Sequence, residues 1–203
     1  MPLFRSKAED KVREAGFDPA RLPPGQYFTE KWPVLHAGEV PEVDLATWTL
    51  EVTGEVEQPL SLSFEELKAL PATEVTTDIH CVTRWSRFDA QFKGVHWGEL
   101  AKLCRPKPTA NFAIAQAEAG FTANVPIAAL EDEHALVVYE ADGEPLTPDH
   151  GWPVRLVIPT KYFWKSAKWL RAIELSSVDK QGFWARYGYH HDAEFGKKGR
   201  YGF

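Results

Sequence analysis

Cys81 is the residue whose surroundings most invite chemistry. It follows His80 directly, and Arg84 and Arg87 lie a few residues on. A thiol has an ordinary pKa of about 8.5, and nearby positive charge stabilises the thiolate. A thiolate is a nucleophile or a soft metal ligand. The competing reading is an inert cysteine buried in a strand. The arginines and a strand-end position weigh against it. Cys104 takes the inert reading, because it shares the apolar face of an expected helix with Leu100 and Leu103.

A second group is His150-Gly151-Trp152-Pro153-Val154-Arg155. Gly151 lets backbone approach a ligand closely. Arg155 sits in an apolar strand, where an unpaired charge is expensive, so it needs an anionic partner. A core carboxylate or a bound phosphate would both serve, and guanidinium matches phosphate bidentately. A third group is Lys161-Tyr162-Phe163-Trp164-Lys165-Ser166-Ala167-Lys168-Trp169. It reads either as a solvated hairpin tip or, with Arg155 and His150, as an anion site. Adjacent His190 and His191 would point apart on a strand, so a surface or core role is expected for both.

The elements that must place these residues are short. Residues 1–43 read as an extended arm in which Pro19, Pro23, Pro24, Pro33 and Pro41 prevent regular structure. Residues 44–203 read as a single domain. Trp48, Leu50 and Val52 alternate with polar residues as in a half-buried strand. Ser63 and Glu66 form a capping box for a helix that Pro71 stops. Val75, Thr77, Ile79 and Cys81 share a face of the next strand, which runs into a loop of Arg84 to Arg87. Val95–Cys104 fits a short helix with Leu100 and Leu103 inward. A hairpin is expected around Gly120, then strands over Leu136–Tyr139, Val154–Ile158 and Trp169–Leu175. The last residues, Lys197 to Phe203, are expected to fray. Many short strands with few helices indicate an irregular, β-rich α+β domain.

Composition narrows the function. The chain has 203 residues, of which 44% are hydrophobic and 26% charged, as in ordinary globular proteins. A net charge of −6 argues against nucleic acid. No run reaches the roughly 18 apolar residues of a membrane span. The N-terminus lacks the apolar stretch of a secretory signal, and two cysteines make no disulfide framework, so a cytoplasmic location is expected. Eight Trp point to a thick core or an aromatic-walled pocket.

The segments Val138-Tyr139-Glu140, Asp142-Gly143-Glu144-Pro145-Leu146, His150 to Pro159 and Lys165-Ser166-Ala167-Lys168-Trp169-Leu170 closely resemble the molybdopterin-binding domain of sulfite oxidases. Plant-type nitrate reductases and a bacterial methionine sulfoxide reductase share that family. The resemblance runs from about Trp48 to Tyr189, and its His-Gly…Arg…Lys-Trp spacing is long and specific. It implies a β-rich α+β fold, molybdenum, and molybdopterin without a nucleotide. It assigns Cys81 as the metal ligand, with Arg84 and Tyr189 catalytic. His150, Arg155 and Lys168 hold the pterin's phosphate, and His80 and Lys165 join them as cofactor contacts. Tyr189 is placed by counting from Trp184, with Tyr187 as the adjacent candidate.

There are departures. Animal sulfite oxidases follow the cysteine with Ala-Gly-Asn-Arg-Arg, whereas Val82-Thr83-Arg84-Trp85-Ser86-Arg87 stands here. The resemblance therefore implies oxygen-atom transfer on a small substrate, with an S-oxide or N-oxide favoured over sulfite. The sequence contains neither the haem-binding nor the dimerisation domain of sulfite oxidases, so electrons are expected to pass through a separate protein. Two rival readings stand beside it. One is a hydrolase with Cys81 as nucleophile and His80 as base, although neighbouring strand residues face opposite ways. The other is a non-catalytic β-sandwich binding module, which leaves Arg155 and the lysine cluster without a purpose.

Overall fold

Ser6 starts the first element by accepting a hydrogen bond from the Glu9 amide, capping helix α1 (Lys7–Glu14) and burying Val12. The structure, a computed structural model, describes residues 6–195, so the stretch Lys197 to Phe203 lies outside the described residues. Helix α1 corrects the expectation of an arm without regular structure. No proline or glycine falls between Lys7 and Glu14, and Glu9 and Asp10 suit a helix N-terminus. The arm continues through strand β1 (Tyr27–Phe28), which pairs in parallel with Trp85 and Ser86.

The chain then forms β2 (Thr49–Gly54), β3 (Leu60–Ser63), α2 (Phe64–Ala69) and β4 (Ala72–His80). In β2, Leu50 and Val52 are buried and Glu51 is exposed, as the alternation predicts. The capping box is present, with Ser63 and Glu66 satisfying each other's backbone amides. Next come β5 (Trp85–His96), α3 (Trp97–Cys104), β6 (Phe112–Ala117), β7 (Thr122–Pro126) and α4 (Ile127–Leu130). The remainder is β8 (Leu136–Ala141), β9 (Glu144–Pro145), β10 (Arg155–Val157), β11 (Leu170–Ser176) and α5 (Phe183–Arg186).

Two expectations fail locally. Of the expected loop Arg84 to Arg87, only Arg84 lies in a turn and the rest is strand. A turn at Val82–Arg84, with Cys81 and Trp85 bonded across it, leads straight into β5. The polar residues of β5 masked its alternation. Leu103 is 38% exposed rather than inward, because it neighbours buried Cys104 on a helix that turns about 100° per residue.

The strands form two mixed sheets, making a β-rich α+β domain. One runs β1-β5-β8-β10, with β4 also on β5 and β9 on β8; the other runs β3-β2-β11-β6-β7. Residues of β8 alternate between two cores. Val137 and Tyr139 join the large core with Trp48, Leu100 and Ile173, while Leu136 and Val138 join a second core with Cys81, Trp85 and Phe92. A strand covered on both faces reads as a continuous apolar run, which β8 is. Truncating a core leucine such as Leu100 would cost about 2–5 kcal/mol. The second core carries the site.

Candidate active site

The β4–β5 turn places Cys81. The Cys81 amide donates to the Trp85 carbonyl at 2.9 Å, and its carbonyl accepts from the Arg84 amide at 2.9 Å and from Gln26 Nε2 at 3.0 Å. The Tyr27 amide donates to the Arg84 carbonyl at 2.7 Å, so the arm pins the turn from outside. Thr83 Oγ1 donates to Cys81 Sγ at 3.1 Å.

Cys81 forms part of the wall of a cavity of about 470 Å³. The arm supplies Trp32, Leu35 and His36, and the β10–β11 connection supplies Trp164, Lys168 and Trp169. The C-terminal segment adds Trp184 and Tyr189, and Arg155 reaches the cavity from β10. Eight tryptophans thus serve both purposes expected of them: Trp48 is core, and several others wall the pocket.

Arg155 is 1% exposed and donates to the carbonyls of His150 at 2.9 Å and Ser166 at 2.9 Å. Among the described residues no carboxylate pairs with it, so the core-carboxylate reading does not hold. Burial pushes its pKa down to about 9. Burial, then the Arg155 charge, push the Lys168 amine down to about 7. Burial, then Arg155 and Lys168, push the His150 imidazole down to about 4. Positive charge is crowded here, the Asp149 carboxylate opposes only part of the shift at Lys168 and His150, and a bound anion would relieve it. Gly151, at φ +106°, makes the crowding possible. A Cβ there would meet Lys168 Cβ at 3.0 Å and Arg155 Cβ at 3.1 Å.

The other expected site residues fall differently. Tyr189 lies on the cavity wall beside Trp164 and Trp184, whereas Tyr187 is 67% exposed. Arg84, held at φ +78° in the turn, is exposed and stands off the wall. His80 is buried beneath the turn, its Nδ1 with Ser86 Oγ at 2.8 Å and its ring against Phe195. Burial pushes the pKa of His80 down. Lys165 is 2% exposed, which rules out a solvated hairpin tip. Its Nζ donates to the carbonyl and Oδ1 of Asn124, at 2.6 and 2.9 Å. Asn124 in turn holds Asp179 and His191, so His191 takes a structural role. No group of metal-ligating side chains occurs among the described residues. Sequence reasoning missed Glu118, a carboxylate on the cavity wall that pairs with Arg171. Its position before the Gly120 turn gave no signal.

A family model for the oxidoreductase molybdopterin binding domain matches residues 37–184. The chain belongs to that family. It is 48% identical over 171 residues to the uncharacterised oxidoreductase YuiH of Bacillus subtilis (strain 168), covering 84% of this chain and 86% of that protein. It is 30% identical over 203 aligned residues to the mitochondrial sulfite oxidase of Rattus norvegicus, spanning 82% of this chain but 37% of the oxidase. The sulfane dehydrogenase SoxCD of Paracoccus pantotrophus shares the fold, with TM-score 0.64 and 23% identity over 71% of this chain and 42% of that one. The chain is thus a molybdopterin-dependent oxidoreductase of the sulfite oxidase-like family.

The residues present fit that cofactor. His150 Nδ1 and Trp164 Nε1 are buried without hydrogen-bond partners, the first under the influence of the Arg155 and Lys168 charges. Burying such groups unpaired is costly, and phosphate or pterin atoms would pair them. The soft sulfur of Cys81 suits molybdenum.

Proposed function

We propose that this oxidoreductase transfers an oxygen atom on a small substrate, with Cys81 as the protein ligand to molybdenum. A small S-oxide or N-oxide is reduced in preference to sulfite being oxidised. The observation that carries the reading is one cavity with Cys81 in its wall and the crowded Arg155–Lys168 charge lining the same space. When bound, the cofactor supplies the redox-active metal that exchanges an oxygen atom and two electrons.

The chain's own residues bind, orient and exclude water. Arg155 and Lys168, with His150 beside them, hold the pterin's terminal phosphate through charge-assisted bonds, without a nucleotide. Thr83 holds the Cys81 sulfur in place. Tyr189 offers a hydroxyl donor to the oxygen being transferred. Trp85 and Trp164 keep bulk water from the reacting centre. His80 and Lys165 act from behind the wall, through Ser86 and Asn124, rather than by contact with the cofactor. Reduction of X=O consumes two electrons and two protons and yields X and water. The electrons come from a separate donor protein, and the enzyme works in the cytoplasm.

Substrate preference follows from charge. Sulfite is a dianion and requires converging donors. Arg155 and Lys168 are committed to the phosphate and Arg84 faces solvent, so the remaining wall is mostly aromatic. The hydrolase reading fares poorly, since His80 is engaged by Ser86 and not aimed as a base. Steady-state assays on molybdenum-loaded protein decide the direction. Dimethyl sulfoxide or trimethylamine N-oxide with reduced viologen should turn over, and sulfite with ferricyanide should be slow. Fast sulfite oxidation without reductase activity would overturn the preference.

A further inference from the structure

We propose that Arg87 is a further ligand of the cofactor's anionic end, completing the site formed by His150, Arg155 and Lys168. This rests on the phosphate-site reading above. In β5, residues two apart share a face, so Arg87 leaves the strand on the side of Trp85, which lines the cavity. Intervening Ser86 points the other way, to His80. The Arg87 side chain is 14% exposed. Its Nη2 donates to Asp142 Oδ2 at 2.7 Å, while its Nη1 is buried without a partner.

The location of that unpaired nitrogen is the point. Trp32 stacks on His150 with ring centroids 4.1 Å apart and planes 13° from parallel. The Cζ atoms of Arg155 and Arg87 lie 5.3 Å and 5.7 Å from the same indole. One ring therefore gathers all three groups. Arg87 is also one of the charges that depress the His150 imidazole. An arginine present only to hold Asp142 would engage it with both terminal nitrogens, as guanidinium–carboxylate pairs commonly do. Arg87 spends one nitrogen on the carboxylate and keeps the other buried and unpaired, as His150 Nδ1 on the same indole is also unpaired. A planar guanidinium can bridge a carboxylate on one side and a phosphate oxygen on the other.

Pterin released per mole of protein, purified from a host that makes molybdopterin, tests this. Arg87→Met should lower pterin content roughly tenfold, the scale of one lost charge-assisted bond. Asp142→Asn removes the same ion pair but leaves the guanidinium, and should keep near-normal content. Equal losses in the two variants would show that Arg87 only anchors Asp142, and would overturn the proposal. Unchanged content in Arg87→Met would overturn it too. Arg155→Ala distinguishes the levels: if it also keeps full pterin, the phosphate-site reading itself fails. Should Arg87→Met fold poorly, Arg87→Gln and titration of the cofactor-free protein with inorganic phosphate provide the second readout. Weaker phosphate binding than wild type is expected there, and equal binding would contradict the proposal.

Discussion

Buried Arg155 and half-buried Lys168 put two positive charges together with only the Asp149 carboxylate opposing them at Lys168, and most of the site's behaviour follows from this. Replacing Arg155 with Ala should lower pterin content most, Lys168→Ala less and His150→Ala least, because a bidentate guanidinium contributes more than one imidazole bond. Equal content in all three variants would contradict the phosphate site. The pH dependence has a definite sign. Lys168 titrates near 7 in the fold against an ordinary 10.5, so between these values the unfolded chain binds more protons. The melting temperature of cofactor-free protein should therefore rise as pH goes from 7 toward 10. Bound phosphate lifts the Lys168 pKa again, so the loaded protein should show a flatter profile, and Lys168→Met should flatten the cofactor-free one. At this scale the residue types were legible: Cys81 beside arginines and an arginine inside an apolar strand both announce chemistry. Which arginine faces inward was not. Arg84 looked closer to the thiol, but its positive φ in the turn sends it to solvent, while strand alternation turns Arg87 inward.

Among the elements, the β4–β5 hairpin and the C-terminal segment do the positioning. The hairpin shifts register between Thr77 and Ile79, a bulge that local alternation does not reveal. Most other strands were readable because their apolar residues follow a period of two, as in β2 and the β6–β7 hairpin. The segment carrying Trp184 and Tyr189 was readable only as a resemblance. It is tied down by long-range contacts, with Asn124 accepting from Lys165 and the Gly182 amide and donating to Asp179. Asn124→Ala should cost about 3 kcal/mol, because it removes the Oδ1 acceptor from both the buried Lys165 ammonium and the Gly182 amide, leaving Lys165 only the residue-124 carbonyl. It should also speed amide exchange over residues 183–189. Lys165→Met should be milder, since it removes the charge along with its bonds. Exchange unchanged in both variants would show that the network does not hold this wall.

Across the molecule, the cavity is assembled from segments far apart in sequence: the arm near Trp32–Gly38, the Cys81 turn, the connection around Lys168, and the segment ending at Tyr189. Fold class and cofactor were legible because strand patterns and the His-Gly…Arg…Lys-Trp spacing survive in one dimension. The roof was not, because its prolines suggest only an extended chain, whereas Gln26, Tyr27 and Thr29 fasten it to the Cys81 hairpin through side-chain and backbone bonds. The Phe17–Phe28–Phe88 cluster and the Arg21 bonds to Asp78 add to that fastening. The central claim joins this architecture to one bond, from Cys81 to molybdenum. X-ray absorption at the molybdenum edge measures it directly on loaded wild type and Cys81→Ser, with Cys104→Ser as control. Cys81→Ser should retain pterin, show one sulfur ligand fewer and lose oxygen-atom transfer, while Cys104→Ser leaves the metal's sulfur count unchanged. An unaltered sulfur count and wild-type turnover in Cys81→Ser would contradict the account.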